Sequence, residues 1–201
     1  MAWGCAKAFR GLGPTSRLLI KTKSEALRGA SGARTRRATV AAAGCPQEDS
    51  SKRYSNTIRG AWGHLDFVLH SIAFSPKEAL QGRVVDVEKQ GFLVTMDVSC
   101  WSFIRTAYLA EPLMKNGRTL FTMSYYGAQA VVENYNIMGV AKAALEAAVR
   151  YIAAELGPKG IRSMRFRPGP LSTPALRRAF PNLTKPLEKR APRRRSQPCH
   201  D

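Results

Sequence analysis

Acidic residues are scarce in this sequence. Only 14 Asp and Glu stand against 32 Lys and Arg, a formal net charge of +18. The scarcity is uneven. Residues 57–162 hold 9 of the acids and 11 of the bases, so that stretch is nearly balanced; the flanks hold the other 5 acids and 21 bases. A chain basic throughout would point to nucleic acid or an anionic membrane. An excess confined to the flanks does not, and these flanks do not interleave the aromatics on which single-strand binders stack bases. No nucleic-acid partner is expected. Cysteine is sparse too: Cys5, Cys45, Cys100 and Cys199 have no metal-ligand spacing, and no signal peptide is visible. Neither a metal site nor a secreted disulfide framework is expected. Long apolar runs are missing, since none nears the roughly 18 residues of a membrane helix, so a soluble chain without a membrane partner is expected.

What is there suffices for one α/β domain with a substantial core, given 201 residues. Residues 2–13 read as a helix ending in glycine. From Pro14 to about Asn56, Arg, Ser, Thr, Ala and Gly dominate without a lasting apolar stripe, so 14–56 reads as an irregular basic segment. Order returns at Leu65. LDFVLHSIAF is a continuous β-favouring apolar run, expected of a strand buried on both faces. Residues 89–115 form a long amphipathic helix pattern, RTLFTMSYYG a second buried strand, and 136–156 a run of strong helix formers ended by GPKG. Strands alternating with helices predict a parallel sheet with right-handed crossovers. Ligands in such sheets sit at the carboxyl ends of strands, here Ser71–Ser75 and Ser124–Gly127. The domain is expected over 57–175, followed by a basic disordered tail, 176–201.

Tyr135 and Lys142 are seven residues apart at the start of the strong helix. Seven residues advance about 10.5 Å and return almost to the same face, so both side chains can enter one cleft. Tyr125 ends the preceding strand and faces the same region. A phenol can donate to a developing enolate oxygen, and a nearby ammonium can bind a ribose and pull the phenol's pKa down. Such a pair taken alone arises more often by chance than by function.

The words around the pair decide between these readings. SYYGAQAVVENYNIMGVAKAALEAAVRYIAAELGPKGIR resembles the active-site stretch of the NADH-dependent enoyl-[acyl-carrier-protein] reductases, members of the short-chain dehydrogenase/reductase superfamily. That family uses Tyr-x6-Lys with a further Tyr ten residues earlier, the spacing of Tyr125, Tyr135 and Lys142. LDFVLHSIAF, LQGRVVDV, MDVSCWSF and PGPLST at Pro168–Thr173 resemble the family as well. The resemblance implies an incomplete Rossmann-type three-layer α/β sandwich with a parallel sheet. It implies NADH-dependent reduction of trans-2-enoyl thioesters carried on acyl carrier protein, in the cytoplasm, by a homo-oligomer (a tetramer) if the fold is intact. By the same resemblance Lys142 binds the nicotinamide ribose and Tyr135 hydrogen-bonds the thioester carbonyl. Tyr125 supports substrate binding or proton transfer, and Ile72 touches the cofactor. Ser75 lies by the substrate, and Leu171, Ser172 and Thr173 meet the nicotinamide side of the cofactor. The alternatives are an inactive fragment and a short-chain dehydrogenase acting on another carbonyl.

The chain also departs from the family. Its opening Met1-Ala2-Trp3-Gly4 falls inside the family's S-I-A-W-G motif, so the first strand and phosphate loop are not recognisable, and the chain reads as truncated. The family's R-V-H-A-I-S-P-G-P is matched here by Arg162–Pro170, and a one-base shift of a coding sequence for V-H-A-I-S yields S-M-R-F-R, the residues Ser163–Arg167. Similar shifts relate G-A-D-L-A-V-T-Y to Gly13–Ile20 and G-I-P-E-F-D to Ala179–Thr184. Shifted GC-rich frames produce Arg, Pro, Ser and Ala, which accounts for the basic flanks and for the transit-peptide-like composition of residues 7–37. Weak NADH binding and impaired activity are expected, because the phosphate loop and a partner for the adenosine ribose are not recognisable, and because Arg165 and Arg167 fall on a strand that should be buried, where unpaired charge is costly.

Overall fold

The computed structural model describes residues 18–22, 38–42, 59–60, 63–114 and 117–168. Within them run β1 (Leu18–Thr22), β2 (Ala38–Ala42), β3 (Phe67–Ser71), β4 (Thr119–Met123) and β5 (Arg162–Phe166). All pair in parallel, in the order β2-β1-β3-β4-β5. The chain therefore builds outward from β1 on one side and from β3 on the other. The strand order reverses between β1 and β3, the position at which parallel α/β sheets bind ligands. The described elements belong to one compact unit, Met1–Arg167.

Two expectations are corrected here. The stretch 14–56 is not wholly irregular: Leu18–Thr22 pairs with Ala38–Ala42 on one side and with Phe67–Ser71 on the other. LLIKT and ATVAA are too short for periodicity to separate strand from loop, and the pairing with β3 is what selects the strand. The second correction is β5: it joins the sheet as a largely exposed strand rather than a buried one, and its arginines, though exposed, do not stand unpaired. Its backbone pairs with β4 from Arg162↔Thr119 to Phe166↔Met123, and Arg165 and Arg167 form ion pairs with Glu146. The helix read over residues 2–13 and the tail 176–201 lie outside the described residues.

β3 and β4 bury consecutive residues, Val68 to His70 and Thr119 to Thr122, as strands covered on both faces must. After β3 come a short helix α1 (Lys77–Gln81), then α2 (Lys89–Met96), a π-helical turn (Asp97–Trp101) and α3 (Ser102–Ala110). The single helix expected over 89–115 is thus interrupted. At 3.6 residues per turn an α-helix cannot point three successive side chains inward, and the π turn buries Val98, Ser99 and Cys100 together. The Ser99 hydroxyl accepts from the Phe74 N–H and donates to the Phe74 carbonyl, both at 3.1 Å, tying the loop after β3 to this turn.

Helix α4 (Asn136–Leu156) has the bounds read from the sequence. Alanine dominates it, and it closes over Gly157–Lys159 to Gly160, whose φ of 73° is left-handed. Its buried stripe Ala141, Leu145, Val149, Ile152 and Leu156 recurs every three or four residues. Leu145, Val149, Ile152 and Leu156 belong to one core with Phe103 and Ala107 of α3, Val68 of β3 and Leu120 of β4. Each large side chain so buried contributes about 1.5–3 kcal/mol. His70, wholly buried, is satisfied in this core by Thr122 Oγ1 at 3.1 Å and Ser102 Oγ at 2.8 Å, with its ring against Phe103.

Candidate active site

The carboxyl end of β4 meets the first turns of α4. The strand runs out at Met123, and the chain continues through Ser124 and Tyr125 into a 3₁₀ turn, Tyr126–Ala128. Tyr135 stands immediately before α4. The Tyr125 and Tyr135 rings meet edge to face, their centroids 4.9 Å apart. Lys142, two turns into the helix, is 5% exposed. Its Nζ donates to the carbonyl oxygen of Met123 at 2.7 Å. Tyr125, Tyr135 and Lys142 are therefore gathered where β4 and α4 adjoin.

Two glycines permit this approach. A Cβ on Gly127 would overlap the Tyr135 ring at Cδ1, and one on Gly139 would lie 2.8 Å from the Gly127 carbonyl oxygen. Sequence reasoning did not single out either residue. The signal was available in Gly139, because glycine inside a helix costs about 1 kcal/mol against alanine and marks a close contact when retained.

Burial sets the electrostatics. It pulls the Lys142 ammonium down from 10.5 to about 8, with the neighbouring Cys100 acting in the opposite sense. Burial pushes the Cys100 thiol up, so it stays neutral beside the lysine, although Lys142 acts to lower it. The Tyr135 phenol is pushed above its ordinary value, first by burial and then by Tyr125, and burial also raises Tyr125. The expected lowering of the phenol by Lys142 is not seen; burial and Tyr125 both push it up, and Tyr135 stays protonated.

Ile72 follows the last residue of β3 directly and is buried. With His70 paired to Thr122, it stands beside the end of β4. Ser75 lies in the loop before α1. Its hydroxyl accepts from Thr95 Oγ1 at 2.9 Å and donates to the Pro76 carbonyl at 3.3 Å, so it is engaged with α2 rather than with the tyrosines. The Asn136 amide nitrogen donates to the carbonyls of Leu80 and Gly82, which ties the C-terminus of α1 to the start of α4. Leu171, Ser172 and Thr173 lie outside the described residues.

Sequence reasoning missed Glu146. It is 4% exposed, one turn beyond Lys142, and accepts from Ser124 Oγ at 2.6 Å. No local signal marks it, because a glutamate on a helix is usually a solvated one.

The chain is similar to proteins of known activity. The enoyl-[acyl-carrier-protein] reductase [NADH] 1 of Rhizobium meliloti is 40% identical over 180 residues, covering 86% of this chain and 64% of that protein. The crystal structure of the enoyl-(acyl-carrier-protein) reductase of Anaplasma phagocytophilum in complex with NAD matches with a TM-score of 0.74 and 40% identity, over 84% of this chain and 65% of that one. The Bacillus cereus enoyl-acyl carrier protein reductase with NADP+ and an indole naphthyridinone matches with a TM-score of 0.82 and 31% identity, over 94% and 76%. The chain thus spans just under two thirds of the length of the Rhizobium relative. A sequence profile of the family described as Enoyl-(Acyl carrier protein) reductase matches residues 1–200, and the chain belongs to that family.

Proposed function

We propose that this chain is an NADH-dependent enoyl-[acyl-carrier-protein] reductase, acting in the cytoplasm on trans-2-enoyl thioesters carried by acyl carrier protein. The observation that carries the reading is the gathering of Tyr125, Tyr135 and Lys142 at the carboxyl end of β4. The donor set suits a dinucleotide's nicotinamide half. Among the described residues Lys142 has one acceptor, the Met123 carbonyl, for three N–H donors, which leaves two for a ribose diol. Ile72 supplies an apolar neighbour, and the family resemblance assigns Leu171, Ser172 and Thr173 to the cofactor as well. NADH, when bound, supplies a hydride to the β-carbon of the thioester.

The remaining work belongs to the side chains. Tyr135, held protonated by burial, donates a hydrogen bond to the thioester carbonyl oxygen as negative charge develops there. Donation to a charge that exists only in the transition state accelerates the chemical step instead of tightening ground-state binding. Tyr125, edge-on to Tyr135, limits the movement of that ring and lies where a second donor is useful. Lys142 is the cation of the site at neutral pH, since its pKa remains near 8 despite burial. Ser75 is assigned to the substrate side. A homo-oligomer is part of the same reading, with Ile104 and Tyr108 of α3 and Tyr151 of α4 exposed and available for it.

The test is a rate measurement on the purified chain with NADH and crotonyl or ketoacyl thioesters. Consumption of NADH with crotonyl thioester alone is expected. Reduction of the ketoacyl thioester instead, or oxidation of NADH with neither, would overturn the assignment.

A further inference from the structure

The buried carboxylate of Glu146 gathers three partner residues, Ser124 after β4 and Arg165 and Arg167 at the end of β5. Its Oε1 accepts from Ser124 Oγ at 2.6 Å and pairs with Arg167 Nε at 2.9 Å. Its Oε2 faces Arg167 Nη2 at 3.2 Å and Arg165 Nε at 3.3 Å. Arg167 reaches on through Nη1 to Gln129 Oε1 at 2.7 Å, in the segment leading to Tyr135. The ends of β4 and β5 thus meet at one side chain of α4, and the loop after the 3₁₀ turn is reached through Arg167.

The arrangement next to Lys142 has a simple consequence. Met123 and Ser124 are consecutive on the chain leaving β4; Lys142 and Glu146 are one turn apart on α4. Met123 O accepts from Lys142, and Ser124 Oγ donates to Glu146, so strand and helix are joined by two rungs. A single hydrogen bond is a pivot. Two separated bonds fix both the spacing and the angle between the elements. Tyr125 follows Ser124 directly, and the Ser124 N–H is itself committed to the Phe166 carbonyl at 2.8 Å. The lower rung therefore governs how the residue carrying the Tyr125 ring stands against Lys142.

We propose that Glu146 is a positioning residue which, through Ser124, sets the end of β4 and hence Tyr125 in register with Lys142, while Arg165 and Arg167 hold its carboxylate ionised and in place. This rests on the assignment of Tyr125, Tyr135 and Lys142 to the active site. The arginines are what the buried acid requires: a desolvated carboxylate is stable only when paired and fully hydrogen-bonded. A purely structural role predicts something different, namely that Glu146 matters only for seating β5.

Ser124→Ala separates the two. It removes the rung and leaves the pairs of Glu146 with Arg165 and Arg167 untouched. We expect turnover to fall on the order of tenfold, as a displacement of a fraction of an ångström implies, with Tm nearly unchanged. Glu146→Ala should lose turnover and Tm together. Glu146→Gln, which keeps an acceptor for Ser124, should restore most of the turnover but not the Tm. A second readout needs neither cofactor nor substrate: NMR titration of Lys142 through labelled lysine side-chain carbons in the free protein. The Cys100 thiol of the π turn bears on Lys142 from a neighbouring element and acts to raise it. Loosening the seat in Ser124→Ala should admit water and move the lysine midpoint up from about 8 toward its ordinary value of 10.5. If Ser124→Ala leaves both turnover and the lysine midpoint at wild-type values, the positioning role is wrong. If no variant, nor the parent, turns over crotonyl thioester while the midpoint still moves, the enzymatic assignment fails and the positioning geometry stands.

Discussion

The two halves of α4 follow different rules. From Leu145 to Leu156 the buried stripe is aliphatic, and it packs on β3, β4 and α3 with no specific polar partner. From Tyr135 to Glu146 the helix start carries a half-buried phenol, a buried ammonium and a buried carboxylate, each held by a named contact. The second half supplies the free energy that anchors the helix. The first half spends some of it, because desolvated charges are retained only where packing elsewhere over-determines the fold.

The largest effects should separate the halves cleanly. Leu145→Ala, at a site with no exposure, is expected to cost about 2–5 kcal/mol of stability with little change in turnover below its lowered Tm. Lys142→Met should do the reverse. Loss of the ammonium should weaken NADH binding and lower kcat/KM on the order of 100-fold or more, while Tm holds or rises because a buried charge has gone. Thermal melts paired with NADH calorimetry on both variants check this. A destabilised Lys142→Met with intact NADH affinity would erase the distinction between the halves.

A smaller effect is expected at Gly127. An added Cβ must displace the Tyr135 ring, so Gly127→Ala should reduce kcat roughly tenfold with a modest change in Tm. Steady-state kinetics decide it: a wild-type kcat would mean that the ring can move without cost to the chemistry.

The mildest test uses pH. The folded chain releases the Lys142 proton near 8 and the unfolded chain near 10.5, so between those values the unfolded state binds more protons. Stability contributed by this group therefore rises with pH across that window. Activity should run the other way, with kcat/KM falling above about pH 8 as the ammonium is lost. Denaturant melts and rates measured from pH 7 to 10, compared with Lys142→Met, isolate both trends: the variant should lose the stability rise.

Much of the site was legible in the sequence. Tyr-x6-Lys with the earlier tyrosine brought out Tyr125, Tyr135 and Lys142 as candidates through the family resemblance, and α4 was bounded correctly because alanine-rich propensity and the terminal glycines act within a few residues. The buried runs of β3 and β4 were readable for the same reason. What depended on distant partners was not readable. LLIKT and ATVAA become strands only by pairing with each other and with β3. The π turn forms where burial of three successive residues and the Phe74 backbone demand it. Arg165 and Arg167, alarming on a strand by composition alone, are satisfied by an acid about 20 residues earlier in the chain. Local sequence determined which segments could be helix or strand and which residues were candidates for chemistry. Tertiary structure decided the pairing, the Lys142 seat on Met123 and the Glu146 clamp, since desolvation and hydrogen bonding depend on what lies nearby in space.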